Sequence, residues 1–117
     1  MSTHTTINGM PKNVFVTGAL GGIGRAICLQ FAREGYCIIA HDISDVKDSA
    51  VTHFLQALKK EGAVGAHYYQ ADLRQLSHID GLFEALRADG LHVDILVNNA
   101  GIQQTAPIAE FNEQMWS

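Results

Sequence analysis

Cysteine, proline and tryptophan are scarce in this sequence, which carries two, two and one of them in 117 residues. Cys28 and Cys37 have neither Cys-x-x-Cys nor metal-ligand spacing, so two buried, reduced thiols are expected. The six histidines (His4, His41, His53, His67, His78 and His92) include no i, i+4 pair and no His-Glu-x-x-His, and no metal is expected. Positive charge is also thin: eight Lys and Arg against twelve Asp and Glu give a net charge of −4. The eight are scattered rather than gathered in a stripe that could neutralise a phosphate backbone, which disfavours a nucleic-acid partner. No apolar run approaches the roughly 18 residues needed to cross a bilayer, and Met1 to Lys12 lacks the charged-then-apolar order of an export signal. A cytoplasmic setting without a membrane partner is expected. A Gly-x-Ser-x-Gly elbow is missing, and Lys12 precedes the first strand instead of following a glycine loop.

What the chain does have is eleven glycines set between periodic apolar segments, with no internal repeat. Residues 1–12 read as a flexible tail and 13–117 as one domain. Val14-Phe15-Val16 is a short β-branched and aromatic run ending at Gly18, the pattern of a buried parallel strand. A helix follows from about Gly22 to Glu34, with Ile23, Ile27 and Phe31 expected as its apolar stripe and Gly35 placed to stop it. Cys37 to Ala40 is a second strand. Ser44 or Asp45 is the expected cap of a helix carrying Val51, Phe54, Leu55 and Leu58 on one face and ending near Gly62. A third strand lies around Ala66 to Gln70. Leu76, Ile79, Leu82, Phe83 and Leu86 mark a further amphipathic helix closed by Gly90, and Ile95-Leu96-Val97 is a fourth strand. The order β-α-β-α-β-α-β predicts an α/β fold, a Rossmann-like doubly wound parallel sheet, incomplete at this length.

The turn after the first strand reads Thr17-Gly18-Ala19-Leu20-Gly21-Gly22-Ile23-Gly24 and opens directly into a helix. Glycines there permit a tight turn and close approach of backbone to phosphate, and the helix end offers free N–H groups. An ordinary Gly-rich turn starting a helix is the alternative. Asp42 follows Gly24 by 18 positions, close to the spacing of about 20 expected for a carboxylate that accepts hydrogen bonds from an adenosine ribose. The same residue could be a helix cap or turn residue. A 2′-phosphate beside Asp42 would set like charges together, and neither Gly21 nor Ile43 supplies a cation. NAD is therefore expected over NADP by at least about a hundredfold. Asp72-Leu73 follows the third strand, where a carboxylate can meet an adenine amino group. Asn98-Asn99-Ala100-Gly101 ends the fourth at the carboxyl edge of the sheet, where open α/β sheets hold ligands and where Asn side chains can tie strand ends together.

Taken together, Thr-Gly-x-x-x-Gly-Ile-Gly at 17–24, the acid at 42, Asp-Leu at 72–73 and Asn-Asn-Ala-Gly at 98–101 resemble the short-chain dehydrogenase/reductase family. The resemblance implies that Gly18, Gly22, Ile23 and Gly24 hold a pyrophosphate, Asp42 the adenosine ribose, Asp72 and Leu73 the adenine, and Asn99, Ala100 and Gly101 the ribose near the nicotinamide. Leu20 departs from the family pattern, in which many members carry a small hydroxyl residue. The stretch from Gly101 to Phe111, with Trp116 beyond, looks like that of bacterial 3-hydroxybutyrate dehydrogenases, which makes Gln103 a candidate contact for a substrate carboxylate. The His41-Asp42 region looks less like those enzymes. The resemblance further implies hydride transfer between NAD and a small secondary alcohol or ketone, and a homo-oligomer at full length.

Family catalysis needs a tyrosine with a lysine four residues later, because a phenol left near its free pKa of about 10 is a poor base. Tyr36, Tyr68 and Tyr69 are followed at that distance by Ala40, Asp72 and Leu73, so no residue here is assigned a catalytic role. The chain is expected to be a cofactor-binding portion that stops before the catalytic segment. The alternatives are a 3-oxoacyl reductase as the enzyme, or a non-catalytic module that binds NAD or a partner. A Rossmann-type methyltransferase is disfavoured by the glycine spacing and Asn-Asn-Ala-Gly.

Overall fold

The computed structural model describes residues 5–7 and 9–102. Within the stretch read as a tail, β1 (Thr6–Ile7) and β2 (Met10–Pro11) pair antiparallel. The main sheet is built from β3 (Asn13–Val16), β4 (Cys37–Asp42), β5 (Gly65–Gln70) and β6 (Ile95–Val97). All its pairings are parallel, in the order β5-β4-β3-β6. Between the strands run α1 (Gly22–Arg33), α2 (Ser49–Glu61) and α3 (Leu76–Ala88), and α4 (Asn99–Ile102) follows β6. This is the expected Rossmann-like α/β fold.

Strand alternation explains why helices cover both faces. Val14, Val16, Ile38 and Ala40 point to one side, where they pack with Cys28 and Ala32 of α1 and with Phe54 and Leu58 of α2. Phe15 and Ile39 point to the other, against Leu82 and Leu86 of α3. The chain winds outward from β3 through β4 to β5, then returns past β3 to lay β6 on its far side. Loops leaving the carboxyl ends of β3 and β6 therefore diverge, and a crevice opens between them.

Three local expectations are corrected. The buried stripe of α1 is Gly24, Cys28 and Ala32, with Ile27 and Phe31 only flanking it and Ile23 57% exposed. Small residues at this spacing let the helix lie close on the sheet, which a stripe of Ile and Phe would hold away. The cap of α2 is Asp48, whose carboxylate accepts the Ala50 N–H at 2.9 Å, while Asp45 closes a preceding turn through Lys47 N–H at 2.8 Å. On α3, Leu82 and Leu86 are buried, but Leu76 and Phe83 face outward at 77% and 55% exposure. The expected stops hold: Gly35, Gly62 and Gly90 take φ of 88°, 130° and 70° just past their helices.

Cys28 and Cys37 are free and buried, and burial pushes the Cys28 thiol up to about 12. No helix among the described residues is long and apolar enough to cross a membrane.

Candidate functional site

At the crevice the glycine turn is held from three sides. Thr17 N–H donates to Val97 O of β6 (3.1 Å), and Ala19 N–H to His41 O of β4 (2.8 Å). The Thr17 hydroxyl lies 3.2 Å from Asn98 Oδ1 and accepts the Ala100 N–H at 3.0 Å, joining the end of β3 to the Asn-Asn-Ala-Gly segment. Asn99, wholly buried, donates from Nδ2 to Gly18 O at 3.1 Å. Its Oδ1 has no hydrogen-bond partner among the described residues.

The glycines of this turn differ in what their missing Cβ would meet. At Gly24 a Cβ would lie 2.1 Å from Gly18 O and 2.7 Å from Asn99 Nδ2, so only glycine lets α1 start this close to the strand. Gly18 has φ 63°, and a Cβ there would also lie 3.1 Å from Asn99 Nδ2. At Gly22 nothing lies within 4 Å. That residue needs no glycine for packing, and its bare backbone borders open space at the first turn of α1.

The α1 terminus carries no competing cap. Gly21, the N-cap residue, supplies no side chain, and the first turn contains no acid. The first helical bond runs from Arg25 N–H to Gly21 O, and by helix geometry the N–H groups of Gly22, Ile23 and Gly24 point out of the end. The turn's other donors are occupied: Ala19 N–H by His41 O, Leu20 N–H by Asp42 and Gly21 N–H by Gly18 O. Three free N–H groups and the positive end of the helix dipole suit an anion such as a pyrophosphate, and the space at Gly22 admits one.

Asp42 ends β4 beside this turn. One carboxylate oxygen accepts Leu20 N–H at 2.9 Å and the other Ile43 N–H at 2.8 Å. These bonds fix the carboxylate's orientation and leave each oxygen a further lone pair for a ribose hydroxyl. Leu20, the departure from the family pattern, packs its side chain against the core and uses its N–H to tie the turn to Asp42.

Asp72, expected at the adenine, is already engaged. Arg74 donates to it from its backbone N–H, Nε and a terminal nitrogen, each at 3.0 Å, and Gln75 Nε2 lies at 3.4 Å. The Arg74 bonds hold the Asp72 carboxyl well below the usual carboxylate range. Leu73 packs against the second core cluster. Thus the structure brings Gly18, Gly22, Ile23, Gly24, Asp42, Asn99 and Ala100 to the carboxyl edge of the sheet, with Asn99 turned inward as a support, and Gly101 follows in α4. Gln103 lies outside the described residues.

Two supports were not assigned from sequence. Thr17 sits within the motif, but only the fold shows its hydroxyl bridging two strands. His41, 3% exposed, accepts the Gly18 N–H on Nδ1 at 3.3 Å and faces Ala71 O with Nε2 at 2.9 Å. A signal was available: residue 41 shares the strand face of Ile39, so a polar side chain there must enter the interior. Tyr68 and Tyr69 are not poised as bases. Burial pushes both phenols above their ordinary value, and their hydroxyls bond Ser44 O and the Asp89 carboxylate.

A reversal of strand order in a parallel sheet, beside an uncapped, glycine-bordered helix end, defines an α/β protein of Rossmann type. The short chain dehydrogenase family model matches residues 12–117, and the chain belongs to that family. D-beta-hydroxybutyrate dehydrogenase of Cupriavidus necator is 34% identical over 110 residues, which cover 94% of this chain and 40% of the relative. L-sorbose reductase from Gluconobacter frateurii, solved with NADPH and L-sorbose, superposes with a TM-score of 0.70 at 30% identity, covering 90% of this chain and 39% of that one. An NAD+-bound xylitol dehydrogenase superposes at 0.66 with 30% identity, covering 90% and 39%. The chain spans about two fifths of the length of the curated relatives it matches.

Proposed function

We propose that this chain is the dinucleotide-binding part of an NAD-dependent oxidoreductase that moves a hydride between the nicotinamide and a secondary alcohol or ketone, with a short 3-hydroxy acid as substrate. The observation that carries the reading is the pairing of an open, uncapped α1 terminus at Gly22 with the Asp42 carboxylate at the end of the adjacent strand. Bound there, NAD supplies the hydride acceptor or donor. The chain's own residues bind and orient it: Gly22, Ile23 and Gly24 N–H hold the pyrophosphate, and Asp42 accepts from the adenosine ribose.

Preference for NAD follows from the fixed carboxylate. Asp42 cannot swing away from a 2′-phosphate without giving up the Leu20 and Ile43 N–H bonds. Arg74 is committed to Asp72, and Arg25 lies over the Phe54 ring at 4.8 Å. At the adenine, Asp72 shares its charge with Arg74, so the Leu73 backbone is the more available contact. The 3-hydroxy acid is supported by the likeness to D-beta-hydroxybutyrate dehydrogenase, and Gln103 is the proposed contact for its carboxylate. Titrating the full chain with NAD+ and NADP+ by calorimetry tests the reading. Tighter binding of NAD+ by about a hundredfold or more is expected; equal or reversed affinities overturn it.

A further inference from the structure

His41 belongs neither to the ligand-facing groups nor to the apolar core, yet it is buried at their junction. Its ring lies 6.4 Å from that of Phe15, nearly parallel at 28°, on the face of the sheet that α3 covers with Leu82 and Leu86. Ala71 O, an acceptor, requires the proton on Nε2, and Gly18 N–H, a donor, requires a bare Nδ1. One neutral tautomer satisfies both. We propose that neutral His41 is a positioning residue for the dinucleotide, holding the glycine turn on one nitrogen and the Ala71 end of β5 on the other, so that cofactor affinity depends on the imidazole remaining uncharged.

The residue it grips sits at a crowded point of the turn. Gly18 takes φ 63°, and its carbonyl receives Asn99 Nδ2 and stands against Gly24. Protonation would put an N–H on Nδ1 facing the Gly18 N–H, two donors with no acceptor between them. Gly18 would then withdraw, and the free N–H groups that begin four residues further on, at Gly22, would lose their alignment. The charges around the ring are few. Burial lowers the His41 pKa, outweighing the Ala71 O bond and the charge of Asp42, next on the same strand, both of which favour the protonated ring. Tyr69 is its register partner on β5, its phenol bonded to Asp89, and the Asp72 charge beyond Ala71 is taken up by Arg74. Phe15, Leu82 and Leu86 bring no charge.

The inference rests on NAD binding at the glycine turn, and the test separates the two. NAD+ affinity of the full chain is measured from about pH 8 to about pH 5 for wild type and for His41→Asn, which keeps one donor and one acceptor but does not titrate. Wild-type affinity is expected to be lost progressively toward acid, and that of the variant to change by less than about twofold. Parallel profiles overturn the role of His41. In the same samples the Gly18 amide resonance is expected to move with the His41 ring titration; an amide indifferent to that titration overturns the role even if the variant fails to fold. Absence of NAD+ binding at pH 8 overturns the cofactor reading instead, and the amide signal then decides whether His41 governs the turn.

Discussion

Gly22 and Gly24 are two residues apart in one motif, and the structure assigns them different tasks that alanine can separate. A Cβ on Gly24 falls 2.1 Å from Gly18 O, more than 1 Å inside the 3.4 Å of ordinary contact, and the atom it meets is backbone. Neither partner can turn aside, so Gly24→Ala is expected to cost about 1–3 kcal/mol of stability as overpacking. For a domain of this size each kcal/mol moves Tm by roughly 4–8 °C. A Cβ on Gly22 meets nothing within 4 Å, and alanine favours a helix over glycine by up to about 1 kcal/mol. Gly22→Ala should leave Tm unchanged or slightly raised, yet its methyl occupies the space where backbone must approach the pyrophosphate. NAD+ affinity should drop at least about tenfold. Thermal unfolding by circular dichroism and calorimetric NAD+ titration read the two effects separately. A Gly22→Ala protein that binds NAD+ as well as wild type, or a Gly24→Ala protein with wild-type Tm, would refute the reasoning.

Thr17→Val removes the hydroxyl that accepts Ala100 N–H and leaves that donor unpaired in a part-buried site; chemical denaturation should register a loss of about 1–3 kcal/mol. Phe54→Ala empties the largest fully buried side chain of the α2 layer and should cost about 3–5 kcal/mol in the same assay. Acid stability should follow His41. Its folded pKa lies below the ordinary 6.5, so its contribution is fully present above pH 6.5 and drains away as pH falls from there through the lower folded value. The Asp72–Arg74 pair acts in a lower window, present above pH 3.8 and lost beneath it, so urea midpoints measured against pH should show the His41 decline first and His41→Asn should abolish it.

Much of this was legible beforehand because the signals were periodic or backbone-driven. Short apolar runs separated by glycine-closed helices predict the element order, and the glycine turn Gly18–Gly24 after the first strand predicts where α1 starts. What escaped was decided by distance between layers. Apolar periodicity points to Ile23, Ile27 and Phe31 as the α1 stripe, but the close approach of helix to sheet selects Gly24, Cys28 and Ala32 instead. Asp48 outcompeted Ser44 and Asp45 as the cap because the connection after β4 runs through an extra turn, closed by Asp48 N–H on Asp45 O at 2.9 Å. Asp72 has the expected place after β5, but Arg74, two residues on, takes up its carboxylate, a local pairing that position along the strand does not reveal. The roles of Thr17 and His41 depend on partners more than 20 residues distant, a pairing that only the folded sheet brings about.

The central claim is that the α1 terminus holds the dinucleotide, and amide chemical-shift mapping on adding NAD+ tests it most directly. The account predicts the largest shifts at Gly22, Ile23 and Gly24, with smaller ones at Ile43 and Ala100 and none along the exposed side of α2. Shifts confined to another surface, or none at NAD+ concentrations in the millimolar range, would contradict it.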